Sequence, residues 1–185
     1  MKRLKPHKGH LLISDPNILD PNFKRTVILL TVHNETESMG FILNQPTKVC
    51  INDLIDEFPS FDAPVYIGGP VQKDTLHFIH SVGDLIDGSI YVGKNLYWSG
   101  NFQTLIKLVA EKKIFSSQIR FFAGYSGWGT GQLERELEEE SWILAPGNSK
   151  IAIIQHNQKL WKNFISKMDE EYAIWANMPE DPSLN

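Results

Sequence analysis

Apolar residues in this chain come in short runs bounded by glycine, proline and small polar residues, a pattern that predicts strands along most of its length. Residues 9–14 form the first run, stopped by Asp15 and Pro16. Residues 25–32 form the second, rich in β-branched and aliphatic side chains without alternation, which predicts a central strand covered on both faces. Between them 19–23 reads as loop around Pro21. The polar stretch 34–38 separates the second run from 39–43, so the two predict an antiparallel hairpin ended by Asn44, Gln45 and Pro46. Runs at 65–67, 76–79 and 89–92 predict three more strands, with Gly68, Gly69, Pro70 and Val71 as a turn after the first. Residues 118–124 predict another, followed by a glycine-dense turn, and 142–144 and 151–154 two more.

Helical spacing interrupts this pattern in places. A short helix over 52–58 takes Asn52 as its N-cap. Over 101–113, Phe102, Leu105, Ile106 and Val109 make one buried stripe. A helix near 131–140 turns Leu133 and Leu137 inward and its glutamates to solvent, and one over 158–168 carries Leu160, Trp161, Phe164, Ile165 and Met168 toward the sheet. These elements together predict an α+β fold: a mixed, largely antiparallel sheet flanked by helices in a single compact domain, with room for a small inserted subdomain. Trp142, Trp161 and Trp175 belong to its core or an interface.

Composition agrees with one domain. At 185 residues, 42% hydrophobic and 22% charged, the chain can bury a substantial core. The expected organisation is a flexible basic N-terminus at 1–8, the domain at 9–175 and a loose tail at 176–185. Net charge is −4, with a pI near 5.8, which argues against direct nucleic-acid binding. The one dense basic stretch is Lys2, Arg3, Lys5 and Lys8. Cys50 is the sole cysteine, which excludes an internal disulfide and fits a reducing compartment. No run approaches a membrane span or a signal-peptide core.

The segment 118–138 is the most distinctive, with Gly124, Gly127, Gly129 and Gly131 interleaved with Tyr125, Ser126 and Trp128. A strand feeding a glycine loop that opens a helix can bind phosphate through free backbone amides. The spacing nevertheless misses both phosphate-loop patterns, and Glu134, Glu136 and Glu138 set acidic charge where an anion would sit. Ser126 as a nucleophile meets a similar obstacle, because the GxSxG elbow needs glycine where Trp128 stands. His156 follows it but precedes the candidate acid Asp169, the reverse of the usual order, while His33, His77 and His80 could approach only through the fold. His77 and His80, three apart on a strand, point to opposite faces, so neither a metal site nor a cofactor is expected. A structural corner is the simpler reading of the glycine turn.

These residues also carry a resemblance. The stretches Gly9-His10-Leu11-Leu12-Ile13-Ser14 with Pro16, Leu19-Asp20-Pro21-Asn22-Phe23-Lys24-Arg25-Thr26-Val27 and Met39-Gly40-Phe41-Ile42-Leu43-Asn44-Gln45-Pro46 resemble the YqgE/AlgH family of bacteria. So do Gly68-Gly69-Pro70-Val71 and Gly124-Tyr125-Ser126-Gly127-Trp128-Gly129-Thr130-Gly131-Gln132-Leu133-Glu134. Ser126 departs from the alanine common in the family. The resemblance implies a cytoplasmic α+β protein, some of whose relatives are named as candidate transcriptional regulators of exopolysaccharide synthesis, and it supplies no catalytic residues.

Two functions are therefore expected to compete. One is a non-enzymatic regulatory or protein-interaction role, with Asn44, Pro46, Gly68, Gly69, Pro70, Gly124, Tyr125, Ser126, Gly127, Trp128, Gly129 and Gly131 as the surface for a protein or small-molecule partner. The other is a small-molecule sensor or enzyme with the loop 124–131 as pocket wall. Convergence of that loop with His33, His77 or His80 around one pocket would favour the second.

Overall fold

The computed structural model describes residues 5–154, 159–168 and 170–178. Its chain order is β1 (His10–Ser14), β2 (Val27–His33), β3 (Glu37–Ile42), β4 (Pro46–Cys50), α1 (Ile51–Leu54), β5 (Pro64–Ile67) and β6 (Val71–His80). Then follow β7 (Ile90–Gly93), β8 (Leu96–Trp98), α2 (Phe102–Ala110), β9 (Ile119–Gly129), α3 (Gln132–Glu138), β10 (Trp142–Pro146), α4 (Leu160–Ile165) and α5 (Glu170–Asn177). The strands join one sheet in the order β10-β1-β2-β3-β9-β6-β8-β7, with β5 paired to both β4 and β9. Only β5 and β9 run parallel among the described pairs; the rest are antiparallel. The α+β architecture is thus the one the sequence predicts, built as a continuous sheet.

Both faces of β2 are buried, as its unbroken apolar run requires. Val27 and Leu29 join Leu11, Ile13 and Phe41 in a core closed by Leu160, Trp161 and Ile165 of α4. Ile28 and Leu30 join Leu12, Ile42, Trp128 and Trp142 in a second, closed by Leu133 of α3. A third core packs Leu105, Leu108 and Val109 of α2 on Val65, Phe78 and Phe121.

Several elements differ from expectation, each for a local reason. The glycine segment is not a turn: β9 runs through it as an eleven-residue strand to Gly129. Gly124, at φ +67, is an irregular position within that strand: the register with β6 jumps there from Val71↔Tyr125 to Leu76↔Ala123, so that residues 72–75 of β6 stand opposite Gly124 alone. A strand irregularity and a turn draw on the same glycine chemistry, so sequence does not separate them. Residues 150–154 form a π-helical turn rather than a strand. Asn52 lies inside α1, where its amide donates to the carbonyls of Phe58 and Pro59; Asp53 instead accepts the Cys50 N–H ahead of the helix. Residues 21–23 make a 3₁₀ turn capped by Asp20. Strands β4 and β8 and helix α5 had no sequence counterpart, and Gln158 lies outside the described residues.

One residue bridges the two neighbours along one edge of β9. Along one edge β9 pairs first with β5 (Val65↔Phe121 to Ile67↔Ala123) and then with β3 (Gly40↔Ser126 to Glu37↔Gly129). Gly68 bridges the change of partner: its N–H donates to Ala123 O at 2.9 Å, and its carbonyl accepts the Ile42 N–H at 2.9 Å and the Ser126 hydroxyl at 3.1 Å. A Cβ here would lie 2.2 Å from the Gly124 carbonyl oxygen. Gly68→Ala should therefore cost about 3 kcal/mol or more, or abolish folding. Gly129→Ala, with nothing within 4 Å of the added carbon, should change stability by less than about 0.5 kcal/mol. Equal urea midpoints for the two variants would contradict this account.

His80 adds a pH dependence. It is fully buried, stacks on Tyr97 and places Nε2 at 3.1 Å from the Ser99 carbonyl. Its Nδ1 has no hydrogen-bond partner among the described residues. Burial lowers its pKa, against a smaller opposing pull from the Ser99 carbonyl. Because protonation is harder in the folded state, stability is complete above the unfolded histidine pKa of about 6.5 and declines as pH falls through and below it. Urea unfolding between about pH 7.5 and 5.5 should show this decline, with a shallower slope for His80→Gln.

Candidate functional site

The last residues of β9, the loop after β1 and helix α3 meet around two indoles. Trp128 is 4% exposed and Trp142 3%, and their rings meet edge-on at 5.9 Å. Phe23 completes the group, lying parallel to Trp128 at 6.4 Å and edge-on to Trp142 at 5.4 Å. The Asp20 carboxylate fixes the turn that presents Phe23 by accepting the Asn22 backbone and side-chain N–H groups, each at 2.9 Å. Thr26 then donates its hydroxyl to the Phe23 carbonyl at 2.9 Å.

Both indole N–H groups converge on one carboxylate oxygen. Glu136 Oε2 accepts from Trp128 Nε1 at 2.8 Å and from Trp142 Nε1 at 2.7 Å, while Gln132 Nε2 donates to Oε1 at 2.8 Å. Gln132 in turn accepts the Gly129 N–H at 3.1 Å. Three donors thus orient Glu136, and bonds to a charged acceptor are the stronger kind. Through it, α3 is tied to β9 and β10.

A cleft of about 470 Å³ opens over this group. Asp15, Asp20, Glu136, Glu139 and Glu140 line it together with the aromatic rings, and among the described residues no lysine, arginine or histidine does. Leu19, also in the lining, is 93% exposed. Five carboxylates make a negative potential, and aromatic faces attract cations through the ring quadrupole. The cleft therefore suits a group that is positive at one point and apolar beside it.

Of the residues singled out in the sequence, Gly127 and Trp128 line this cleft. Gly129 serves the Gln132 contact, and Gly131 precedes the first turn of α3. Ser126 is fully buried with its hydroxyl on the Gly68 carbonyl, which leaves it a strap between strands. Tyr125 faces the other side of the sheet, edge-on to His77 at 5.8 Å. Gly68, Gly69 and Gly124 form backbone contacts in the interior; a Cβ on Gly69 would lie 2.3 Å from Tyr125. Pro70 is half-buried beside them. Asn44 is buried, accepts the Val27 N–H at 2.9 Å and donates to the Arg25 carbonyl at 2.8 Å. Pro46 lines a separate cleft.

The histidines do not gather in one pocket with the glycine segment, and none lines the indole cleft among its described residues. His33 Nδ1 meets the Ser38 hydroxyl at 2.8 Å and its Nε2 lies 3.7 Å from Glu134 Oε1, His77 lies between Phe41 and Tyr125, and His80 faces the opposite core. Burial lowers the pKa of His77 as it does that of His80. His156 and Asp169 lie outside the described residues, and among those described no group of three or more potential ligands is placed to hold a metal. Sequence reasoning missed Phe23, Trp142 and above all Glu136, read as part of a solvated face. The available signal was spacing, since Glu136 stands three residues after Leu133 and beside Leu137, on the inward stripe of α3.

Comparison with known proteins agrees with this architecture. The chain is 44% identical over 182 residues to a UPF0301 protein of Chlorobaculum tepidum, covering 98% of this chain and 96% of that one. It is 39% identical to a UPF0301 protein of Cytophaga hutchinsonii, with 96% and 98% covered. The solution structure of the AlgH protein from Pseudomonas aeruginosa matches at TM-score 0.72 and 26% identity, covering 98% of this chain and all of that one. A crystal structure of a Corynebacterium diphtheriae protein shares the fold at TM-score 0.79 and 23% identity, with 96% and 95% covered. Residues 11–173 match the AlgH-like family, and the chain belongs to it.

Proposed function

We infer that the protein is a non-enzymatic interaction module whose indole cleft receives a cationic, partly apolar segment of a partner protein. The observation that carries this reading is the cleft itself: three aromatic rings walled by five carboxylates, with a nearly fully exposed leucine in its lining. An exposed large apolar side chain beside a concave charged surface is the anatomy of a recognition site, with an apolar anchor and a polar rim. Such a module regulates by occupying its partner, which accommodates a regulatory role without a basic recognition helix. A cytoplasmic setting is in keeping with the single Cys50.

The test is calorimetric titration with the peptide acetyl-Arg-Leu-Arg-Leu-amide against its glutamate counterpart. The arginine peptide should bind, and Leu19→Ser and the double change Glu139→Gln with Glu140→Gln should each weaken it about three- to tenfold while leaving the unfolding temperature unchanged. Added salt should weaken it further. Equal binding of the glutamate peptide, or indifference to both variants, would sink the reading.

A further inference from the structure

We propose that a small cavity at the start of β1 binds a single oxyanion of the phosphate or sulfate kind, held by His7, His10 and Lys94. Three parts of the chain wall it: residues 7–10, the turn between β7 and β8, and Pro146 with Gly147 at the end of β10. It encloses about 160 Å³, below the roughly 300 Å³ at which sites for drug-sized molecules begin. Its occupant is therefore an ion, or one charged group of a larger molecule.

Backbone hydrogen bonds assemble the cavity from segments far apart in sequence. The His10 N–H donates to the His7 carbonyl at 3.1 Å, closing a turn in which Gly9 takes φ +87. The Gly9 N–H donates to the Leu30 carbonyl at 2.8 Å, and its own carbonyl accepts the Gly147 N–H at 3.1 Å, so the turn is anchored to β2 and to the end of β10. On the other wall Lys94 and Asn95, at φ +45 and +61, make the two-residue turn between β7 and β8. The Lys94 N–H is held by the Tyr91 hydroxyl at 3.2 Å, and Lys8 Nζ donates to the Tyr91 carbonyl at 3.0 Å. Of the basic stretch singled out in the sequence, Lys8 thus joins this wall, while Lys2 and Arg3 lie outside the described residues.

This framework crowds basic groups together. The His7 and His10 rings stand 3.4 Å apart between centroids, with Lys8 and Lys94 in the same lining and no carboxylate among its described residues. A carbonyl only accepts, so the 2.8 Å contact with the Lys8 carbonyl sets the His7 proton on Nδ1 and pins the ring. His10 is 6% exposed, and its Nδ1 has no hydrogen-bond partner among the described residues. Burial lowers the His10 pKa, and the charges of His7 and Lys94 lower it further, against a smaller pull from a hydrogen bond to the Lys5 backbone. Like charges set this close repel, and an unpartnered polar atom in an interior costs free energy. One anion answers both, because it offsets the repulsion and accepts from His10 once Nδ1 is protonated. Binding is therefore coupled to proton uptake. Asp15, just past the other end of β1, lines the indole cleft with its carboxylates, so the two ends of that strand select opposite charge.

Proton NMR of the histidine rings in the full chain, titrated with sodium sulfate against sodium chloride at constant ionic strength, is the test. The His7 and His10 signals should shift saturably with sulfate and that of His80 should not. Sulfate stays doubly charged from pH 6 to pH 8, so its binding reports on the protein's own protons. It should bind about three- to tenfold tighter at pH 6 than at pH 8 and raise the His10 pKa. Lys94→Gln and His10→Gln should each weaken it about three- to tenfold. Lys94 is exposed, so its variant keeps the test open if the buried His10 substitution unfolds the chain. Phenyl phosphate bound as tightly as inorganic phosphate would assign the site to the end of a larger phosphorylated molecule, and weaker binding would assign it to the free ion; either upholds the anion site. The proposal is overturned if sulfate gives no saturable shift, if chloride reproduces it, if Lys94→Gln binds sulfate as the unmodified chain does, or if affinity is equal at the two pH values.

Discussion

The structure depends on the point where β9 changes partner. A strand whose one edge is shared between a parallel and an antiparallel neighbour leaves a gap in its ladder, and unpaired backbone groups in an interior are costly. Gly68 fills that gap with its N–H on Ala123 and its carbonyl shared between Ile42 and Ser126. The approach is so close that a methyl group would overlap the Gly124 carbonyl. Three sequence segments that look like separate turns, around residues 44, 69 and 125, are one buried joint.

The joint decides which way the side chains of β9 face. The positive φ of Gly124 shifts the alternation, so that Tyr125 lies against the core with His77 while Trp128 lies on the face covered by α3. Trp128 can then meet Trp142 of the edge strand β10 over a single carboxylate. Before Gly124, the same strand turns the buried Arg120 toward the opposite face. One strand thus places an aromatic wall in an acidic cleft and a buried cation in another.

Glu136 gives the indole group its definition. Two buried indole N–H groups need acceptors, and a carboxylate that accepts both fixes the rings as rigid surfaces. Polar groups satisfied in this way specify one arrangement where an apolar contact would tolerate several. Membership of the AlgH-like family is in keeping with this arrangement, since the segments around 19–27 and 124–134 that carry the resemblance are the ones that build the cleft.

The sequence by itself determined the family, the α+β class and most strand and helix positions. It also placed β2 in the centre and the stripe of α2 in a core, because periodicity and turn chemistry are local properties. It misread the glycine segment as a turn, since positive φ at Gly124 serves an irregular strand position equally well. It read Glu136 as solvated and passed over Arg120, since a charged residue declares its burial only through partners distant in sequence. Those partners, Trp142 for the one and Leu43, Tyr66 and Ile153 for the other, are supplied by strand pairing. The tertiary structure alone therefore decided which glycines are joints, which charges are buried and where the two clefts lie, because each follows from non-local register.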